Sequence, residues 1–391
     1  MALNLSLIVL AGILFHQLFA RLHLPGILGI LLLGMLMGPY AMDMIDDQIL
    51  YMSDDLRNIA LVVILLRAGL GIRRKSLARV GIPALKMGFL PALTEGFAIM
   101  VIAISFLGFD AAQAGMLGFI LAAASPAVIV PGMIGYINRG KGAEKGIPTM
   151  ILAGVSLDDV VAITLFSSFV GIYSGQQISL TLQVFNIPIS LISGVLVGGL
   201  LGLLFVKLFN RFELKHAKKL LIVLSAGILM STVESLTELA IPFAALLGVM
   251  AMGFVITEKN AELGNLLSNK LNSLWVFAEI LLFFLVGAEV NVLLAMESGL
   301  AGLGIIVFGL LVRSAGVLLA LRKSPFSRDE RFFCVMAYWP KATVQAAIGA
   351  VPLSLGAPHG EFILAIAVLS IIVTAPMGAL AIKIRGEKVL K

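Results

Sequence analysis

Long apolar runs constrain this sequence more than any other feature. Of its 391 residues, 60% are hydrophobic and only 13% are charged, and the mean hydropathy is +1.07. Soluble domains carry about 25% charged residues, whereas a helix needs roughly 20 consecutive apolar residues to cross a bilayer. Because backbone groups in lipid must bond to one another, runs of this kind fold as helices. We therefore predict an all-α polytopic membrane protein.

Thirteen apolar runs are long enough to count as membrane spans, numbered 1 to 13 along the chain. They cover residues 4–22, 26–42, 57–73, 82–108, 112–137, 147–173, 184–208, 217–233, 241–257, 272–296, 299–321, 331–353 and 360–383. The first run has no basic segment before it and no cleavage site after it, so we expect a span rather than a removable signal peptide. The short loops leave no place for an inserted soluble domain.

The basic residues mark one side of the membrane. Of the 28 Lys and Arg residues, 23 lie in loops that follow odd-numbered spans or in the C-terminal tail. Loops after even-numbered spans carry only Arg57, among acidic residues such as Asp54 and Asp55. Since cytoplasmic loops are enriched in Lys and Arg, we predict that the N-terminus is outside and the C-terminus cytoplasmic. This topology accounts for the net charge of +6, so nucleic acid is not needed as a partner.

Five ionisable residues lie near the middle of predicted spans. Asp158 and Asp159 are adjacent in span 6, Glu95 is in span 4, Arg313 in span 11 and Lys341 in span 12. A charged residue at a helix centre costs roughly 2.5–3.5 kcal/mol on insertion scales, so each one needs an offset. We predict that Glu95 and Arg313 form a buried ion pair. The two aspartates are then the predicted site for a cation or a proton.

Weak matches between the two halves of the chain indicate an internal repeat. Residues 66–72 resemble residues 284–290 at an offset of 218, and residues 125–130 resemble residues 339–344 at an offset of 214. The predicted ion pair also joins residues 218 positions apart. This shift of seven spans reverses the direction of the chain in the membrane. We therefore predict inverted-topology repeats, an architecture that many secondary transporters share.

Prolines near the middle of spans 5 and 12 predict that both helices are broken. Pro126 and Pro131 lie in span 5, and Pro340 lies in span 12. Proline lacks the backbone donor and clashes with the preceding helical turn. Two broken helices that cross at the midplane leave free backbone groups that suit ions. Lys341 follows Pro340 and either offsets the negative half-helix ends or handles protons directly; the sequence leaves both roles open.

Carboxylate oxygens are hard ligands, which suit Na+ or Li+. Asp159 and Asp158 are therefore the predicted metal ligands, and the hydroxyls of Ser156 and Ser125 are further candidates. A carboxylate that binds either a proton or a cation, but not both, is sufficient in principle to couple the exchange of one for the other. The four histidines are scattered, and no Walker loop, GxSxG or CxxC motif occurs. We expect neither a cofactor nor an enzyme.

These motifs resemble a known family. The Ser-Leu-Asp-Asp string at residues 156–159 resembles the double-aspartate motif of the NHA-type sodium/proton antiporters. These belong to the cation:proton antiporter superfamily, which has the NhaA-like fold. Residues 125–131 resemble the family's first broken helix, and residues 339–349 resemble its second. The resemblance extends over essentially the whole chain.

The resemblance implies a homodimer with two domains in each protomer. It assigns residues 1–74 and 217–296 to a dimerisation domain, 82–174 and 299–385 to a core ion-transport domain, and 184–210 to a linker helix. It also implies elevator-type alternating access, with Asp159 as the principal carrier and Asp158 as its neighbour. Electrogenic relatives have a lysine where this chain has Arg313, which favours exchange of one cation for one proton here.

The predicted function is secondary active Na+(Li+)/H+ antiport across the lipid bilayer of the cell inner (plasma) membrane. A K+/H+ antiporter and a sodium-coupled organic anion transporter of similar architecture are alternatives. A channel or a membrane sensor would belong to a different class. The short loops leave no room for the output domain of a sensor, and a channel does not need opposed repeats around one carboxylate pair.

Overall fold

The structure is a computed structural model that describes residues 2–22, 24–72, 74–174, 180–236, 244–297 and 299–390. Within these ranges every regular element is a helix. The helices are α1 (Ala2–Arg21), α2 (Gly26–Met37), α3 (Asp47–Tyr51), α4 (Ser53–Gly71), α5 (Arg74–Leu107), α6 (Ala111–Ala122), α7 (Pro126–Asn138), α8 (Ile147–Tyr173), α9 (Leu180–Arg211), α10 (His216–Leu236), α11 (Ala245–Lys259), α12 (Ala261–Ala288), α13 (Val292–Glu297), α14 (Gly299–Ala320), α15 (Arg328–Ala337), α16 (Thr343–Ile348), α17 (Val351–Ser354) and α18 (Gly360–Val389).

The number of spans stays a prediction. In the described part of the chain, nine helical segments are long and apolar enough to cross a membrane, and residues 26–37 and 343–354 form shorter apolar helices. Several predicted boundaries are wrong: α12 runs from Ala261 to Ala288 rather than from residue 272 to 296, and α5 starts at Arg74 rather than at residue 82. Helix α12 starts early because the Asn260 side chain caps it, accepting a hydrogen bond from the Leu263 backbone N–H at 3.0 Å. The predicted start of span 9, at residue 241, lies outside the described residues.

Spans 5 and 12 are both broken near their middle. Residues 123–125 separate α6 from α7, and residues 338–342 separate α15 from α16. The prolines differ in their local roles. Pro126 is the first residue of α7, where a missing N–H costs nothing, and Pro340 lies in the unwound segment itself. Pro131 lies inside α7, which continues through it, so this proline does not make the predicted break.

The two breaks meet in the interior. The Ser125 backbone N–H donates to the Pro340 carbonyl oxygen at 2.8 Å, which joins the unwound segments directly. Helix α8 carries the two aspartates and packs along α5 and α6, while α14 also packs along α5. Helices α5, α8 and α14 therefore surround the crossing and bring their charged side chains to it.

The predicted linker helix, α9, packs tightly against α11. A Cβ atom on Gly198 would lie only 1.9 Å from the Gly248 carbonyl oxygen, and one on Gly194 would lie 2.4 Å from the Ala244 carbonyl oxygen. Only glycine allows the two backbones to come this close. Helix α11 in turn packs on α4, and α4 packs on α12. The division into dimerisation and core domains stays a prediction.

Candidate ion-binding site

Asp158 is held at the crossing of the broken helices. Its side chain is fully buried, and its Oδ2 atom accepts hydrogen bonds from Arg313 Nη2 at 2.7 Å and from the Ala124 backbone N–H at 2.9 Å. Ala124 can donate because it lies in the unwound segment after α6, where no helical carbonyl takes its N–H. The Oδ1 atom has no hydrogen-bond partner among the described residues.

Arg313 joins the two halves of the site. Its Nη1 atom donates to Glu95 Oε2 at 2.9 Å and to the Ala122 carbonyl oxygen at 2.5 Å, and its Nε atom donates to the Tyr338 carbonyl oxygen at 2.6 Å. The two carbonyls are the C-terminal ends of α6 and α15, where the helix dipole favours a positive charge. The predicted pair of Glu95 with Arg313 is thus in contact. The additional bond from Arg313 to Asp158 was not predicted.

Lys341 supplies a second cation to the same cluster. Its Nζ atom lies 2.6 Å from Glu95 Oε2, and its backbone N–H donates to Thr374 Oγ1 at 2.8 Å. Glu95 therefore lies between two positive charges, and Arg313 lies between Glu95 and Asp158. We name Glu95, Asp158, Arg313 and Lys341 the buried quartet. Its two carboxylates balance its two cations, so it is electrically neutral.

Asp159 faces a different environment from its neighbour. Successive residues point about 100° apart around a helix, so Asp159 faces away from the quartet. It lines a cavity of about 790 Å³, together with Ser156, Pro126 and Thr343. Its Oδ1 atom is buried without a hydrogen-bond partner in the described residues, and Asp159 takes part in none of their ion pairs. Its negative charge is therefore not offset by a direct contact.

The two predicted serine ligands lie in different places. Ser156 lines the cavity beside Asp159 and donates its hydroxyl to the Leu152 carbonyl oxygen at 3.2 Å, which leaves its lone pairs available. Ser125 is buried in the crossing, and its hydroxyl lies 3.5 Å from Thr343 Oγ1. Their roles as cation ligands stay predictions.

Acidic residues also line the far end of the cavity. Asp54 and Asp55 lie at the start of α4, and Glu234 lies near the end of α10. Arg57 also lines the cavity, but it is paired with Asp54 and Glu289, so negative charge is in excess and concentrates cations. The sequence did not predict this entrance, because its residues come from separate helices. In sequence, each looks like an acidic residue at the surface of the membrane.

The sequence also gave no role to Gln345, which closes the end of α6. Its Nε2 atom donates to the Ile120 carbonyl oxygen at 2.8 Å and to the Ala123 carbonyl oxygen at 3.0 Å. These bonds satisfy carbonyls that the break leaves without helical partners. A polar amide three residues into an apolar half-helix was the available signal for this role.

Comparisons with known proteins agree on one group. The family model described as sodium/hydrogen exchanger, transmembrane, matches residues 5–385. Sodium/hydrogen exchanger 9B2 of Homo sapiens is 34% identical over 388 residues, which covers 94% of this chain and 70% of that protein. Sodium/hydrogen exchanger 9B1 of Homo sapiens is 34% identical over 352 residues, which covers 86% of this chain and 67% of that protein.

A solved structure shares the fold. The sodium proton antiporter MjNhaP1 from Methanocaldococcus jannaschii, determined at pH 8, matches with a TM-score of 0.77 at 20% identity. The match covers 98% of this chain and 95% of that one. The predicted fold class, an all-α polytopic membrane protein with the antiporter fold, is thereby confirmed.

Proposed function

The chain belongs to the sodium/hydrogen exchanger family, and from this premise we propose that it is a secondary active Na+(Li+)/H+ antiporter. One observation carries the proposal. The buried quartet is neutral, whereas Asp159 lines the cavity and has no direct partner for its charge among the described residues. Burying an unpaired carboxylate is costly, so Asp159 requires either a proton or a cation. Competition between the two at Asp159 couples their transport.

The quartet also supports a stoichiometry of one cation per proton. The guanidinium of Arg313 stays charged at any physiological pH, so it cannot release Asp158 by losing a proton. Asp158 therefore stays occupied by Arg313 and Ala124. Only Asp159 then alternates between a proton and a cation. Each cycle moves one cation in one direction and one proton in the other. Antiport is then electroneutral and insensitive to membrane potential.

The position of the cavity supports alternating access. It runs from Asp159 to the acidic entrance, at the ends of α4 and α10 that the charge asymmetry assigns to the outer side. We infer an outward-facing state in a multi-pass plasma-membrane protein with its N-terminus outside and its C-terminus cytoplasmic. The core helices α5–α8 and α14–α18 then move as an elevator against the remaining helices of a homodimer. No enzymatic step is part of this cycle.

The size of the cavity raises organic anion transport as a second candidate. A volume of about 790 Å³ would admit a small organic molecule, and Arg57 lines the cavity. However, Arg57 Nη1 already lies 2.6 Å from Glu289 Oε2, and its Nη2 contacts Asp54. With two carboxylates on the guanidinium, little positive charge remains for an anionic substrate. The arrangement favours cations.

The proposal is tested by proton flux in proteoliposomes that contain a pH-sensitive dye. An imposed pH gradient is challenged with Na+, Li+, K+ or choline, for the wild type and for Asp159→Asn. We expect Na+ and Li+ to dissipate the gradient in the wild type, independently of potential, and the variant to be silent. Asp110→Asn is the matched control, because Asp110 is exposed and only caps α6, a role that asparagine fills equally well.

Three outcomes would contradict parts of this proposal. If only K+ dissipates the pH gradient, the transported cation is K+ rather than Na+ or Li+, and the proposed mechanism stands. An active Asp159→Asn variant would remove Asp159 as the carrier. If no cation moves protons in the wild type, antiport itself is wrong and the midplane carboxylates are structural.

A further inference from the structure

Tyr338 has a buried hydroxyl that the proposed mechanism does not use. The residue lies in the unwound segment between α15 and α16, and its side chain is fully buried. Its hydroxyl has no hydrogen-bond partner among the described residues. Buried tyrosine hydroxyls are normally paired, because an unpaired one has lost its hydrogen bonds to water without replacing them. The structure therefore calls for a partner at this position.

The hydroxyl lies beside the helix that carries the aspartates. A Cβ atom built on Gly154 would be 2.2 Å from the Tyr338 hydroxyl oxygen, so this oxygen occupies the space of a missing side chain. Gly154 precedes Asp158 by four residues and is on the same face of α8. Helical side chains lean towards the N-terminus, so the Asp158 carboxylate leans towards this hydroxyl.

Two oxygens without a partner among the described residues thus lie along the same face of α8. One is the Tyr338 hydroxyl, beside Gly154, and the other is Asp158 Oδ1, one helical turn (about 5.4 Å) further along the helix. A single water that makes hydrogen bonds of about 2.8 Å on each side spans such a distance. A carboxylate only accepts, so the hydroxyl and the water must supply the protons.

We propose that one water bridges the Tyr338 hydroxyl to Asp158 Oδ1 and that Tyr338 is a positioning residue for the aspartate pair. Tyr338 already holds the other partner of Asp158. Its carbonyl oxygen accepts from Arg313 Nε at 2.6 Å, and its ring centre lies 5.3 Å from the Arg313 guanidinium carbon. With the water bridge, one residue orients both sides of the Arg313–Asp158 contact. The orientation of Asp158 in turn sets the field that a cation meets at Asp159.

This inference rests on the proposed function, because its readout is cation binding. The test compares the purified full chain with Tyr338→Phe, which removes the hydroxyl but keeps the ring and the carbonyl. Thermal unfolding is followed while Na+ replaces choline at constant ionic strength, since a ligand of the folded state raises its stability with concentration. We expect Tyr338→Phe to raise the half-saturating Na+ concentration at least about threefold, with a maximal antiport rate close to that of the wild type.

Tyr136→Phe is the matched control. Tyr136 is equally buried in the core helices, but its hydroxyl donates to the Ile382 carbonyl oxygen at 2.8 Å, away from the aspartates. We expect this variant to lower the unfolding temperature and to leave the half-saturating Na+ concentration unchanged. The variant Gly154→Ala tests the same hydroxyl in a second way, because the new methyl group would displace the Tyr338 hydroxyl. The Tyr338→Phe background should tolerate Gly154→Ala better, because the clashing atom is gone.

The outcomes separate the two proposals. If the wild type responds to Na+ and Tyr338→Phe responds at the same concentrations, the positioning role is wrong. A Tyr338→Phe variant that is more stable than the wild type, with unchanged Na+ dependence, would show that the hydroxyl has no partner. If Tyr338→Phe does not fold, unchanged Na+ dependence in Gly154→Ala overturns the inference in its place. If the wild type shows neither Na+-dependent stability nor antiport, the proposed function fails, and this inference fails with it.

Discussion

At the scale of single residues, charge balance decides what each buried ionisable group can do. Lys341 and Arg313 both contact Glu95 Oε2, and Arg313 also contacts Asp158. Removing one member of a buried ion cluster leaves an uncompensated charge, which costs far more than the interaction is worth in water. The members of the quartet are therefore expected to depend on one another rather than to contribute independently.

A double-mutant cycle on Glu95 and Lys341 measures this dependence. We expect Lys341→Met and Glu95→Gln each to lower the free energy of unfolding by about 3 kcal/mol, because each leaves the buried quartet with one uncompensated charge. The double variant should lose at least about 1 kcal/mol less than the sum of the two single variants. Denaturant unfolding of the purified protein gives all three values. Additive losses would mean that the two side chains do not share one charge-balanced contact.

At the scale of helices, close backbone contacts decide how α9 joins the rest of the molecule. Gly198 lies against the Gly248 backbone of α11, whereas Gly199, the next residue on α9, has no atom nearer to a built Cβ than Val255 Cγ2 at 3.9 Å. Helix α9 is thus held to α11 along one face only. Residues 175–179, which precede α9 in the chain, lie outside the described ranges.

These two adjacent glycines provide a matched pair of variants. We expect Gly198→Ala to lower the free energy of unfolding by about 1–3 kcal/mol, because the methyl group must push α9 away from α11. Gly199→Ala should be neutral or stabilising by up to about 1 kcal/mol, because alanine favours a helix over glycine. Thermal unfolding of both variants measures the difference. Equal effects would mean that the contact between α9 and α11 is looser than the structure indicates.

At the scale of the whole molecule, the asymmetry of charge and the cavity at Asp159 together predict the side of the membrane to which the cavity opens. The acidic entrance of the cavity and the basic loops lie at opposite ends of the helices, as the sequence pattern predicts for a protein with its N-terminus outside. An outward-facing state then exposes cavity residues to the outer solution and not to the cytoplasm.

Cysteine labelling in intact cells tests both orientation and state. The background is Cys334→Ala, which removes the only native cysteine. We expect a membrane-impermeant maleimide to label Asp55→Cys and the cavity-lining Ala347→Cys from outside, and Lys215→Cys only after permeabilisation. Labelling of Lys215→Cys in intact cells would reverse the topology. Labelling of Asp55→Cys but not Ala347→Cys would contradict the outward-facing state.

The sequence alone determined the class of the molecule, the kinds of residue at its centre and the family, whose prediction is confirmed. These follow from local properties: a long apolar run needs lipid, a charge within it needs an offset, and a mid-span proline interrupts a helix. Even here the local signal was incomplete, because Pro131 fits within α7 and Asn260 extends α12 towards its N-terminus.

Only the tertiary structure decided which of the central residues are paired and which one has no ion-pair partner among the described residues. Arg313 could be matched with Glu95 from their repeat positions, but its bonds to Asp158 and to the carbonyl ends of two broken helices depend on how distant helices cross. Two neighbouring aspartates with the same local sequence thus differ in their contacts. The Asp158 side chain points towards the neutral quartet and the Asp159 side chain towards the cavity, because adjacent residues on a helix face different neighbours.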